Sequence, residues 1–163
     1  MADTIAMKAQ KATFAAGCFW GVQSEFDRMK GVLRTRVGYT GGHLAKPAYE
    51  DVCTGRTGHA EAIEIEFDQK RVSYTALLEK FFSLHDPTQV NRQGPDIGSQ
   101  YRSAIFYHDE SQKKSAMKAK QALESSGKPD APIATQIVKA TFFYPAEEYH
   151  QKYLEKRGAF VCQ

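Results

Sequence analysis

The sequence contains no CxxC pair, no GxSxG and no apolar run approaching the roughly 18 residues that span a bilayer. The first absence argues against a thioredoxin-type dithiol and a zinc ribbon, and the second against a nucleophile-elbow serine hydrolase. Cysteine itself is scarce. Cys18, Cys53 and Cys162 are odd in number and too few for a disulfide scaffold. The first residues, MADTIAMKAQKATFAAG, hold no continuous apolar core and carry an early acid, so no signal peptide and a cytoplasmic location are expected. Net charge is only +3 and the Lys and Arg residues are scattered, so neither a nucleic acid nor a membrane is an expected partner. His43, His59, His85, His108 and His150 have no neighbours at ligand spacing, and no metal or other cofactor is expected. Repeats, linkers and low-complexity stretches are missing too. One domain over residues 1–163 is expected, long enough to bury a core.

What is present is a regular alternation of strand-like and helix-like segments. KATFAAG ends as a strand on Gly17, and Phe19, Val22, Phe26 and Met29 then recur at helical spacing. RTRVGYTGG reads as a strand entering a glycine turn, followed by a polar loop with a short helix at AYEDVC. EAIEIEFD alternates strictly, as a half-buried strand does. Ser73 suits the N-cap of a helix carrying Leu77, Leu78, Phe81 and Phe82. HDPTQVNRQGPDIGSQ reads as loop and YRSAIFYH as a strand, and Asp109 with Gln112 resembles a capping box. IATQIVKATFFY predicts a long strand, and Pro145 the first turn of a final helix, AEEYHQKYLEKR. The mixture predicts an α+β fold with helices layered on a sheet.

Against this frame AGCFWG stands out. It places Cys18 where a strand hands over to a helix, between two glycines and beside Phe19 and Trp20, the only tryptophan. A cysteine at a helix N-terminus has its thiolate stabilised by unpaired N–H groups and the helix dipole. Cys18 is therefore open to a reactive role as well as a buried structural one. Glu61 shares strand parity with Ile63, Ile65 and Phe67, so it either heads the apolar face of its strand or is solvated at a frayed end. On the apolar face, a carboxyl is expected to hold its proton near neutral pH. Tyr49 and Tyr101 offer phenol donors, and Asp96 lies in a turn.

GCFWG, GHAE, the run from HDPTQ through NRQG to QYRSAI, and AEEYHQKYL together resemble the type A peptide methionine sulfoxide reductases over residues 13–157. The resemblance implies a single-domain two-layer α/β sandwich around a mixed sheet. It also implies reduction of methionine-S-sulfoxide, free or in oxidised proteins and peptides, as a protein-repair reaction. Cys18 would be the nucleophile and Glu61 the proton donor to the sulfoxide oxygen. Phe19 and Trp20 would receive the S-methyl group, Tyr49 and Tyr101 would hydrogen-bond the oxygen, and Asp96 would order the polar side of the site. A sulfenic acid on Cys18 would condense with a second thiol, and a thioredoxin-like dithiol would reset the enzyme. Cys162, in the tail GAFVCQ, is the expected resolving thiol, with Cys53 the alternative and direct reduction by an outside thiol also open. Many members of the family have a glycine-rich tail at this point, and this sequence does not. A monomer is expected.

Overall fold

The computed structural model describes residues 9–156. Six strands form one mixed sheet. In chain order they are β1 (Ala9–Ala16), β2 (Val32–Thr40), β3 (Ala60–Asp68), β6 (Ser103–Tyr107), β7 (Gln136–Lys139) and β8 (Tyr144–Pro145). Across the sheet the order is β7-β6-β1-β3-β2-β8. Every neighbouring pair is antiparallel except β6 and β7. That one parallel pair needs a crossover, and α4 (Glu110–Ser125) provides it. The remaining two strands, β4 (Arg92–Gln93) and β5 (Asp96–Ile97), form a separate small hairpin.

Alternation along the strands divides the sheet into two faces. Phe14, Val37, Ile63, Ile65 and Ile105 point to one, where they pack on α1 (Phe19–Asp27), α3 (Tyr74–Ser83) and α4 through Phe26, Leu77, Leu78, Phe81 and Ala116. Burying each of the larger of these side chains contributes about 1.5–3 kcal/mol. Ala15, Ala62, Ala104 and Phe106 form the other face, which is covered by Phe143. The α+β sandwich read from the sequence is the fold observed. Ser73 caps α3 by accepting from Ala76 N at 3.0 Å. Asp109 likewise accepts from Gln112 N at 2.8 Å, but Gln112 reaches back to His108 N rather than to the cap residue. It is diverted because its amide also donates to Lys11 O on β1, which fixes α4 to the sheet.

The structure differs from the sequence reading in three places. The segment read as one long strand is β7 followed by a crossing. β7 pairs with β6 only as far as Lys139, where β6 ends. Residues 140–143 then pass over the second face, and β8 joins the far edge beside Gly38 and Tyr39. Gly38 permits this: a Cβ there would strike Tyr144 O and the Phe143 ring. Pro145 lies in β8 and does not open a helix. Within residues 146–156 of that segment there is a 3-10 turn (Glu148–His150) and a short α5 (Tyr153–Lys156), with Lys152 between them at φ 55°. Tertiary contacts outweigh the helical pattern here. The Gln151 amide accepts from Val37 N and donates to Val37 O, both at 2.9 Å, and so continues the β2 edge in place of a strand. Finally, the loop before β6 contains the β4–β5 hairpin, clamped by Gln93, which accepts from Asp86 N and donates to Asp86 O.

Candidate active site

The site forms where β1 turns into α1. Gly17 makes the turn at φ 91°, a conformation that L side chains rarely adopt, and a Cβ there would come within 2.8 Å of the Gln93 side chain. Cys18 is the N-cap residue of α1 and is half-buried. Its sulfur thus projects from the end of a helix whose first N–H groups lack intrahelical acceptors. Beside it opens a groove of about 430 Å³, with Val22 and Glu25 on one side and Gln93, Pro95 and Asp96 on the other.

Glu61 stands near the start of β3, 2 % exposed, on the helix-facing side that its parity predicts. Its Oε1 accepts from Phe19 N at 3.3 Å, which sets the carboxyl one residue from the cysteine. Burial is the largest cause raising the phenols of Tyr39, Tyr49 and Tyr101, and the nearby Glu61 carboxyl acts in the same direction on each. Asp96 and Cys18 also act on Tyr101. These tyrosines stay protonated and remain hydrogen-bond donors at any working pH. The sequence-derived set of Cys18, Glu61, Tyr49, Tyr101 and Asp96 therefore converges on one place, with Phe19 buried beneath it and Trp20 half-buried at its edge. Cys53 is exposed on α2 (Tyr49–Cys53), hydrogen-bonded to Tyr49 and raised mainly by burial of its thiol. Cys162 lies outside the described residues.

Sequence reasoning missed a further group, all but one of it from the C-terminal segment. The Trp20 indole donates to His150 Nδ1 at 3.0 Å, so the neutral imidazole carries its proton on Nε2. His150 is 1 % exposed, and burial holds it below the usual histidine range against the pull of Glu147 and Glu50. Its ring lies 5.4 Å from Phe19 and 4.5 Å from Tyr49. Tyr153 stacks flat on Trp20, with centroids 3.8 Å apart. Glu147 accepts from the hydroxyl of Tyr39, the one member of the group that comes from β2, and from Tyr49 N. The signal available was AEEYHQKYL, but helical spacing assigned its residues to a helix face instead of to a pocket.

An acid beside a thiol at a helix N-terminus, near protonated phenols and an aromatic wall, can protonate a polar oxygen while the sulfur attacks the atom bearing it. Comparison with known proteins agrees with that chemistry. The family model described as peptide methionine sulfoxide reductase matches residues 10–163. The chain is 58% identical to a peptide methionine sulfoxide reductase MsrA of Methanothermobacter thermautotrophicus over 153 residues, 94% of this chain and 90% of that one. Among solved structures, Mxr1 from Saccharomyces cerevisiae in reduced form matches with a TM-score of 0.89 and 36% identity, covering 96% of this chain and 90% of that one. Mxr1 in complex with Trx2 matches at 0.64 and 24% identity, covering 90% and 86%, a likeness of fold alone.

Proposed function

The chain belongs to the peptide methionine sulfoxide reductase family and reduces methionine sulfoxide, and on that premise we infer that Cys18 is its nucleophile and Glu61 its proton donor. The observation that carries the assignment is the Glu61 carboxyl lodged against the amide of Phe19, next to the thiol. The Cys18 thiolate attacks the sulfoxide sulfur. Oxygen passes to Cys18 as a sulfenic acid, the proton from Glu61 ends on that oxygen, and methionine leaves reduced by two electrons. A second thiol then displaces water to give a disulfide. Cys162 is the resolving thiol in this reading, and a thioredoxin-like dithiol returns both sulfurs to the reduced state. Tyr49 and Tyr101 donate to the oxygen as it gains charge, and uncharged donors do so without competing for the proton. The S-methyl group rests on Phe19 and Trp20 while the oxygen faces Glu61. That handedness selects the S epimer, free or in oxidised proteins. Asp96 closes the polar side, and the protein acts as a monomer.

Intact mass and peptide mapping after excess methionine-S-sulfoxide peptide, with no reductant present, test this reading. A Cys18–Cys162 bridge with about one methionine per enzyme is expected, by the one-for-one stoichiometry of sulfenic acid formation. A Cys18–Cys53 bridge would move the resolving role to Cys53. Methionine formed without any change at Cys18 would remove the nucleophile assignment.

A further inference from the structure

We propose that Glu147 is a positioning residue of this site, seating Tyr49 from the C-terminal segment by holding the Tyr49 amide and the Tyr39 hydroxyl on one carboxylate. The proposal rests on the reading of Tyr49 as a donor to the sulfoxide oxygen. α2 begins at Tyr49 and is preceded by Ala48, which has no side-chain acceptor to offer the first helical amides. Asp51 Oδ2 takes Ala48 N at 2.9 Å, and Tyr49 N is left to a residue 98 positions away, Glu147 Oε2, also at 2.9 Å. The second oxygen, Oε1, accepts from Tyr39 OH at 2.9 Å. Tyr39 is fully buried, and its ring lies 5.8 Å from that of Phe19.

One carboxylate therefore ties together β2, the first turn of α2 and the segment that goes on to supply His150 and Tyr153. Burial works to raise the Glu147 carboxyl, but hydrogen bonds from Tyr49 N, from its own amide and from Tyr39 outweigh it and hold the group ionised. Glu147 holds the first amide of α2, so its effect on the reaction passes through Tyr49. The phenol ring of Tyr49 is wedged against His150, and a shift of the α2 backbone would move its hydroxyl away from the oxygen it meets.

Glu147→Met keeps the volume and removes both acceptors, leaving two donors unsatisfied. On the sulfoxide substrate its kcat/KM is expected to fall on the order of 10-fold, chiefly in kcat, because the oxygen gains charge in the transition state. Glu147→Gln still accepts from Tyr49 N through its carbonyl and can donate to a turned Tyr39 hydroxyl, so it is expected to restore most of the rate. An unchanged Glu147→Met, or a Glu147→Gln as poor as Glu147→Met, overturns the proposal. If Glu147→Met does not fold, Glu147→Asp, which draws the oxygens back by one methylene, carries the same comparison. Tyr49→Phe is measured alongside. A silent Tyr49→Phe removes the oxygen-binding reading and the proposal with it, whereas loss there with Glu147→Met unchanged removes the positioning role alone.

Discussion

His85 lies just past the C-cap of α3, and its surroundings give a measurable pH dependence. Its Nδ1–H donates to Phe81 O at 2.8 Å, so Nε2 must accept from the Ser103 hydroxyl at 2.7 Å. Ser103 in turn accepts from Thr135 at 2.8 Å. Burial pushes the imidazole down to about 4, against the Phe81 carbonyl and Asp86, which pull the other way. The unfolded chain keeps the ordinary value of 6.5, so between 6.5 and 4 it binds a proton that the folded chain refuses. Stability is therefore complete above 6.5 and is lost as pH falls. The loss is about 2 kcal/mol at pH 5 and about 3 kcal/mol once both states are protonated. Urea unfolding at pH 7.5 and pH 5 measures it against His85→Gln, which keeps a donor and an acceptor but does not titrate. His108 and His150, which burial also lowers, are common to both proteins and cancel. The stability gap between the two should narrow by about 2 kcal/mol on going to pH 5. A gap that stays constant would refute the reasoning.

Three substitutions probe the site itself. Glu61→Gln should lower turnover by about 10²–10⁴ in steady-state assays with Cys18 still open to alkylation, since only proton delivery is removed; near-normal turnover would exclude the donor role. Trp20→Phe keeps an aromatic wall but leaves His150 Nδ1 without its donor, and should raise KM more than it lowers kcat. Equal kcat and KM would mean that the indole bond does not set the pocket. Gly17→Ala places a Cβ against Gln93 at positive φ and should cost more than about 1 kcal/mol in urea unfolding, with a parallel loss of kcat/KM.

How legible the site was in the sequence depends on where each residue's partners lie. β3 alternates, so the side of the sheet Glu61 faces follows from its own neighbours in the chain, whichever strand pairs with it. Cys18 at the turn into α1 and Ser73 at the cap of α3 were legible for the same reason, because each is fixed by the few residues after it. The C-terminal segment is the opposite case. Gln151 bonds Val37, Glu147 bonds Tyr39 and Tyr49, and His150 receives Trp20 from 130 residues earlier. A continuous helix from residue 146 would satisfy its own backbone but would turn these side chains away from such partners. The chain instead forms a 3-10 turn and puts Lys152 at positive φ, a cost met by contacts that periodicity does not register. The place where local pattern failed is thus the segment that packs His150 and Tyr153 on Trp20 and ties Glu147 to Tyr49. In this molecule a strongly helical sequence broken into a 3-10 turn and a single helical turn marks residues whose partners lie far away in the chain.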